Sequence, residues 1–176
     1  MDILFILSGF LMSFAISLLI VLSKPLHTHF SSDTLQGDQK FHQGDVPRIG
    51  GIAIFVSLVA AWFFFFPDPV FAKILLSSLP VFLTGLWEDI FKSVSSLRRL
   101  IAALIAGASF IYLSGYSLTS TDIYLFDMVF AALYLFPILT IISISALPNA
   151  VNIIDGFNGL ASGSSAIMAL SIAYLG

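Results

Sequence analysis

The sequence predicts an all-α, polytopic membrane bundle with six transmembrane helices. Three observations carry that expectation. Of 176 residues, 59% are hydrophobic and 10% are charged, and the mean hydropathy is +1.04; a soluble domain carries about 25% charged residues. The apolar residues gather into stretches of bilayer length. Six of the seven Lys and Arg fall in just two of the connections. The absence of Cys removes any disulfide framework or thiolate metal site.

Residues 1–176 read as one membrane domain with spans at Ile3–Leu22, Ile49–Phe66, Val70–Trp87, Leu100–Leu118, Met128–Leu147 and Phe157–Leu175. Each is near the roughly 20 residues that a hydrocarbon core requires. The first lacks the basic flank and the cleavage site of a signal peptide and carries only Asp2 before it. The second closes on the Phe63–Phe66 run, and Pro67-Asp68-Pro69 turns the chain into the third. Pro80 and Pro137 lie inside the third and fifth spans, where they are expected to kink helices that neighbours support. The eighteen Phe read as lipid-facing bulk.

Orientation follows from the basic residues. Lys24, Lys40 and Arg48 lie between spans one and two, and Lys92, Arg98 and Arg99 between spans three and four. Those connections share one side, so they are expected in the cytoplasm with the N-terminus outside. The connection around Asn149–Asn158 joins them there. The outer loop, Ser120 to Asp127, carries Asp122 and Asp127 and no basic residue.

The polar groups of note therefore meet on the cytoplasmic side. Pro148 to Gly163 bunches Asp155 with Asn149, Asn152 and Asn158 between two uncharged spans. Polar groups in such places usually mark a site or a pathway. If the start of the stretch is helical, Asn149, Asn152 and Asp155 recur at i, i+3 and i+6 on one broad side. Glu88 and Asp89 are adjacent carboxylates at the inner end of span three. Adjacent anions repel unless a cation relieves them; oxygen ligands beside a phosphate suit magnesium. Taken in isolation the pair reads better as a helix end paired with Lys92, and beside Asp155 on the same side the metal reading prevails. In the long first loop, Lys40, His42 and Arg48 stand ready to hold a phosphate, or, for Lys40 and Arg48, to anchor the inner face. His27 and His29 lack partners at metal-ligand spacing and read as solvated loop residues.

Three segments together resemble the polyprenyl-phosphate N-acetylhexosamine-1-phosphate transferases, glycosyltransferase family 4: His42–Gly51 (HQGDVPRIGG), Gly85–Asp89 (GLWED) and Asn149–Gly163 (NAVNIIDGFNGLASG). The Pro-Arg-Ile-Gly-Gly form is similar to the N-acetylglucosamine-type, undecaprenyl-phosphate branch. The resemblance implies transfer of N-acetylhexosamine 1-phosphate from a UDP-sugar to polyprenyl phosphate, with release of UMP and with Mg2+ as cofactor. It implies an early membrane step of cell-surface glycan synthesis, such as cell-wall or O-antigen synthesis, at the bacterial inner membrane. It assigns Asp89, Glu88 and Asp155 to catalysis and Asp89 and Asp155 to the metal. Lys40, His42, Arg48, Asn149, Asn152 and Asn158 would bind substrate. The implied partners are the polyprenyl phosphate, the UDP-N-acetylhexosamine and the bilayer, with a homodimer allowed and no nucleic acid. The family has Asp-Asp where this chain has Glu88-Asp89, and often a second Asp where it has Asn158. The family has about ten spans, so these six are expected to be its N-terminal part, inactive alone.

A transporter or channel with a cytoplasm-facing carboxylate and amide site is the rival reading. The polar groups gather at one face rather than at the midplane, and no inverted repeat is visible, which favours the transferase. A scaffold without chemistry leaves Glu88, Asp89 and Asp155 with no reason to converge.

Overall fold

The computed structural model describes residues 3–23, 50–65, 67–91, 94–154 and 159–175. The described residues form helices α1 (Ile3–Leu22), α2 (Gly50–Phe65), α3 (Pro69–Phe91), α4 (Ser96–Ser114), α5 (Tyr124–Ala132), α6 (Phe136–Ile154) and α7 (Leu160–Leu175). No strand occurs among them. The protein is thus all-α and an integral membrane protein. By length and composition, α3, α4 and α6 are each able to cross a membrane; α2, Leu7–Leu22 of α1 and Leu160–Tyr174 of α7 are shorter apolar helices. Three of the six expected crossings therefore meet that criterion in full.

Local chemistry sets the helix ends. Asp68 Oδ1 accepts the Phe71 N–H at 2.7 Å, and Pro69 occupies the first position of α3. That pairing satisfies one orphan N–H of the first turn, and proline has no N–H to leave unpaired. Trp62 Nε1 donates to the Asp68 carbonyl at 3.0 Å and ties α2 to the same turn. Ser95 caps α4, accepting from the Arg98 N–H at 3.4 Å. At the far end Gly115, at φ +75°, donates to the Ile111 carbonyl at 2.9 Å. A residue with a Cβ would be strained in that left-handed conformation.

The stretch Met128–Leu147 is two helices rather than one kinked span. The break covers 133–135, where Tyr134 has φ +52°. Pro137 accounts for it. Inside a helix its ring would clash with the carbonyl four residues back, that of Leu133. Instead the chain turns there, and Pro137 becomes the second residue of α6, where no N–H is needed. The rings of Phe130 and Phe136 pack across the corner with centroids 5.9 Å apart. Pro80, by contrast, lies inside α3, and Pro148 inside α6.

Helix α4 is the packing centre, flanked by α3 and α6; α1 packs on α2, α2 on α3, and α7 on α6. The buried face of α4 consists of Ala102, Ala103, Ala106 and Gly107. Helix α2 buries Ala53, Ser57 and Ala61, spaced four apart. In hydrocarbon, lipid chains are as apolar as leucine, so helices gain by close backbone approach across small residues. Gly107 shows how close: a Cβ there would lie 3.0 Å from the Ile141 carbonyl oxygen and 3.1 Å from its Cα. Phe55 and Phe82 stack at 4.0 Å between α2 and α3. Most large apolar side chains of the described residues are exposed, as suits contact with lipid, with Leu75 and Phe136 among the buried exceptions. Hydroxyls inside the helices turn back onto their own backbone, as Ser57 does to Ala53 at 2.6 Å and Thr84 to Pro80 at 2.7 Å. These hydroxyls are thereby not offered to lipid unpaired.

Candidate active site

Helix α3 runs past the expected span end to Phe91, so Glu88 and Asp89 occupy its last turn. Carboxylates there face the negative end of the helix macrodipole. Four residues after α3 ends, Ser95 starts α4, whose first turn carries Arg98 and Arg99 at the positive end of a second dipole. Each pair of charges is badly placed on its own helix. The connection between the helices is short, and Glu88 and Arg99 meet, which relieves that pair.

Arg99 makes the junction. Its Nη1 donates to Glu88 Oε1 at 2.9 Å and Oε2 at 3.1 Å, and both side chains are more than two-thirds buried. The same nitrogen reaches Asn152 Oδ1 on α6 at 3.5 Å, and Nη2 reaches Ser96 Oγ at 3.3 Å. Arg99 therefore links the end of α3, the start of α4 and the last turn of α6, joining residues 53 apart in sequence.

Asn149 and Asn152, expected in a connection after Leu147, are helical, because α6 continues through Pro148 to Ile154. Asn149 Nδ2 donates to the Ser145 carbonyl at 2.8 Å. Its Oδ1 is then the end of the amide left to accept from a ligand. Asn152 is set the other way. A guanidinium has only donors, so the carboxamide oxygen faces it and the amide NH2 remains to donate. One turn of α6 thus presents an acceptor and a donor side by side.

Of the residues singled out from the sequence, the structure brings Glu88 and Asn152 together and places Asn149 one turn away from Asn152. Asp89 is half-buried beside Glu88 and has a partner of its own. Lys40, His42, Arg48, Asp155 and Asn158 lie outside the described residues, as does Lys92. Glu88 is ion-paired, and the cation is Arg99. From the sequence alone, Arg99 served only to orient the chain. The missed signal was its position eleven residues after Glu88 across a short helix–helix connection, where the two helix ends must be neighbours.

Among the described residues no three His, Cys, Asp or Glu side chains come together as a metal site. Magnesium needs no such cage: it commonly takes one or two carboxylates, substrate phosphates and water. A half-buried Asp89 at the edge of an ion-paired cluster fits that donor set. Leu83, Thr84 and Trp87 of α3 line an open cleft of about 370 Å³ with Val94 and Arg98. Trp87 is exposed and packs on Phe91 with ring centroids 4.6 Å apart.

The model of the family described as Glycosyl transferase family 4 matches residues 71–176, which contain this whole cluster. The chain belongs to that family. It is 33% identical over 146 residues to a Sulfolobus acidocaldarius protein assigned as a UDP-N-acetylglucosamine–dolichyl-phosphate N-acetylglucosaminephosphotransferase, covering 78% of this chain and 44% of that one. It is 31% identical over 134 residues to the undecaprenyl-phosphate alpha-N-acetylglucosaminyl 1-phosphate transferase of Thermotoga maritima, covering 76% and 40%. It is 33% identical over 148 residues to the phospho-N-acetylmuramoyl-pentapeptide-transferase of Prochlorococcus marinus, again covering 76% and 40%. The chain spans about two fifths of the length of these relatives. No solved structure matches it.

Proposed function

We propose that this chain forms part of a membrane phosphotransferase that moves N-acetylhexosamine 1-phosphate from a UDP-sugar to a polyprenyl phosphate and releases UMP. The observation that carries the reading is the meeting of Glu88, Arg99 and Asn152 at one end of three helices, in the part of the chain that the family model matches. Two relatives named for N-acetylglucosamine transfer differ in their lipid, dolichyl phosphate in one and undecaprenyl phosphate in the other, so the acceptor is proposed as a polyprenyl phosphate.

Phosphoryl transfer asks a protein mainly for alignment and charge neutralisation. Asp89 is proposed to position the attacking lipid phosphate or take its proton. It would also hold Mg2+ together with Asp155. When bound, the metal neutralises charge on the phosphates. Asn149 and Asn152 offer the nucleotide sugar an acceptor and a donor, and Asn158 lies in the same motif. Lys40, His42 and Arg48 are proposed to hold phosphates from the first connection. The cleft beside Trp87 has apolar walls and a guanidinium at Arg98, which suits an isoprenoid chain with a phosphate head. The site would face the cytoplasm of a bacterial plasma membrane, with the N-terminus outside.

The test is an assay of the full-length protein in lipid bilayers containing polyprenyl phosphate, with a panel of UDP-N-acetylhexosamines and UMP release as the readout. Magnesium-dependent UMP release with one of them is expected. Failure of the whole panel, or release without polyprenyl phosphate, would reject the proposal.

A further inference from the structure

We infer that Glu88 and Arg99 are positioning residues: Glu88 anchors Arg99, and Arg99 holds the Asn152 amide in one orientation toward the nucleotide sugar. This rests on the proposed function for the identity of the ligand, but not for the latch itself. It removes Glu88 from catalysis and from the metal. The geometry points there directly. Both Glu88 oxygens accept from the same arginine nitrogen, at 2.9 and 3.1 Å, in a setting largely withdrawn from water. A carboxylate so engaged has spent its charge on a neighbour. The guanidinium, held at Glu88 and Ser96, turns the same Nη1 toward the Asn152 oxygen at 3.5 Å. Without Arg99 the Asn152 carboxamide could flip and present its oxygen where a donor is needed. Arginine suits the task because its rigid fork can bind several acceptors at fixed angles, which a lysine ammonium cannot. The same frame explains why glutamate serves at this position. It need only reach the first turn of α4 from the last turn of α3.

Three measurements on the full-length protein in bilayers test this. The first is Mn2+ binding, followed by electron paramagnetic resonance with the metal alone. Glu88→Gln should bind within about twofold of wild type, and Asp89→Asn should bind about tenfold more weakly. A tenfold loss in Glu88→Gln would overturn the assignment by making Glu88 a ligand. Unchanged binding in Asp89→Asn would instead remove the metal from the proposed function and leave the latch standing. The second measurement is the KM for the UDP-sugar. Arg99→Met and Asn152→Ala should each raise it about tenfold, with the double variant no worse than either and Arg99→Lys intermediate. Additive losses would overturn the latch. The third is thermal unfolding of Glu88→Gln, Arg99→Met and their double variant, which needs no substrate. The double variant should lose less than the two single losses added together. Strict additivity there would sink the pairing even if the enzyme works as proposed.

Discussion

The protein holds carboxylates in hydrogen-bonded clusters at both ends of α4, and the two clusters are built differently. At one end Glu88 is tied to Arg99 and, through it, to Asn152, across 11 and 53 residues of sequence. At the other, Asp127 accepts from Ser120 Oγ at 2.6 Å, from the Thr121 N–H at 2.8 Å and from Thr121 Oγ1 at 2.6 Å, all within seven residues. Asp122, at φ +61°, belongs to that turn. The turn is fastened to the bundle upstream, where the Leu118 N–H donates to Thr140 Oγ1 at 2.9 Å. The second cluster folds a loop and ties it to the first turn of α5. It uses neutral donors and needs no cation. The first uses a largely buried ion pair to join two consecutive helices to a third, 53 residues away in sequence. Acidic residues in a network are therefore a weak sign of a site by themselves. The sequence distance the network spans is the better sign.

The two ends should differ first in access. The 19 residues of α4 separate them by about 28 Å, close to the hydrocarbon thickness of a bilayer. A cysteine at Ser95 is expected to be fully shielded from an impermeant thiol reagent in intact cells, and one at Thr121 to label. Labelling at Ser95 from outside would invert the orientation and remove the cytosolic site.

They should differ next in chemistry. Asp89→Asn in the full-length protein is expected to cut transfer by about a hundredfold or more, the scale of a lost acid–base group, with membrane insertion intact. Asp127→Asn should leave the rate unchanged. Equal losses in the two variants would mean that the contrast between the clusters has no functional content.

Between the ends, Gly107→Val should destabilise the bundle by about 1–3 kcal/mol, the usual cost of overpacking, because the new side chain meets backbone at Ile141. Thermal unfolding in detergent measures it; an unchanged midpoint would show that α4 and α6 separate easily.

The smallest effect is expected at the outer turn. The Ser120 and Thr121 hydroxyls, donating to Asp127, hold its carboxyl below the ordinary carboxylate value. A depressed folded-state value means that the turn's stabilisation is complete above the ordinary carboxylate value of 3.8 and is lost as pH falls through the lower folded value. Amide exchange at Thr121 should be pH-independent in protection near neutrality and should lose protection only in strong acid. Loss of protection already at pH 6 would contradict the assignment.

How much of this was legible depended on the kind of signal. Gross helix positions followed from apolar length. The three-residue spacing of Asn149 and Asn152 fits one side of a helix only if the stretch is helical, which apolar length alone did not show, and the meeting of Glu88 with Asn152 agrees with the shared side of their connections. The division of Met128–Leu147 was not legible as a break. A uniformly apolar stretch shows no periodicity to interrupt, and three prolines in similar settings have different outcomes here: Pro80 and Pro148 stay inside helices, while Pro137 opens one. Tertiary packing at the Phe130–Phe136 corner accompanies that difference, and such contacts leave no local pattern. Arg99 was hidden for another reason. Basic residues beside a span are expected in any membrane protein, so its role in orientation masked its role as a ligand of Glu88.

The contact at Gly107 has a mechanical consequence. Gly107 lies eight residues along α4 from Arg99, about 12 Å, and Ile141 lies eleven residues along α6 from Asn152, about 16 Å. The two backbones touch there, so that point is a fulcrum and the segments beyond it are lever arms. A wedge of a few tenths of an ångström at the fulcrum is not absorbed by side-chain repacking. It swings the far ends apart, where the Arg99–Asn152 bond, already 3.5 Å long, has no slack to follow. Changes of helix tilt deep in the bilayer, whether from a substitution or from membrane thickness, would therefore register at the membrane surface as a change in how one amide is held.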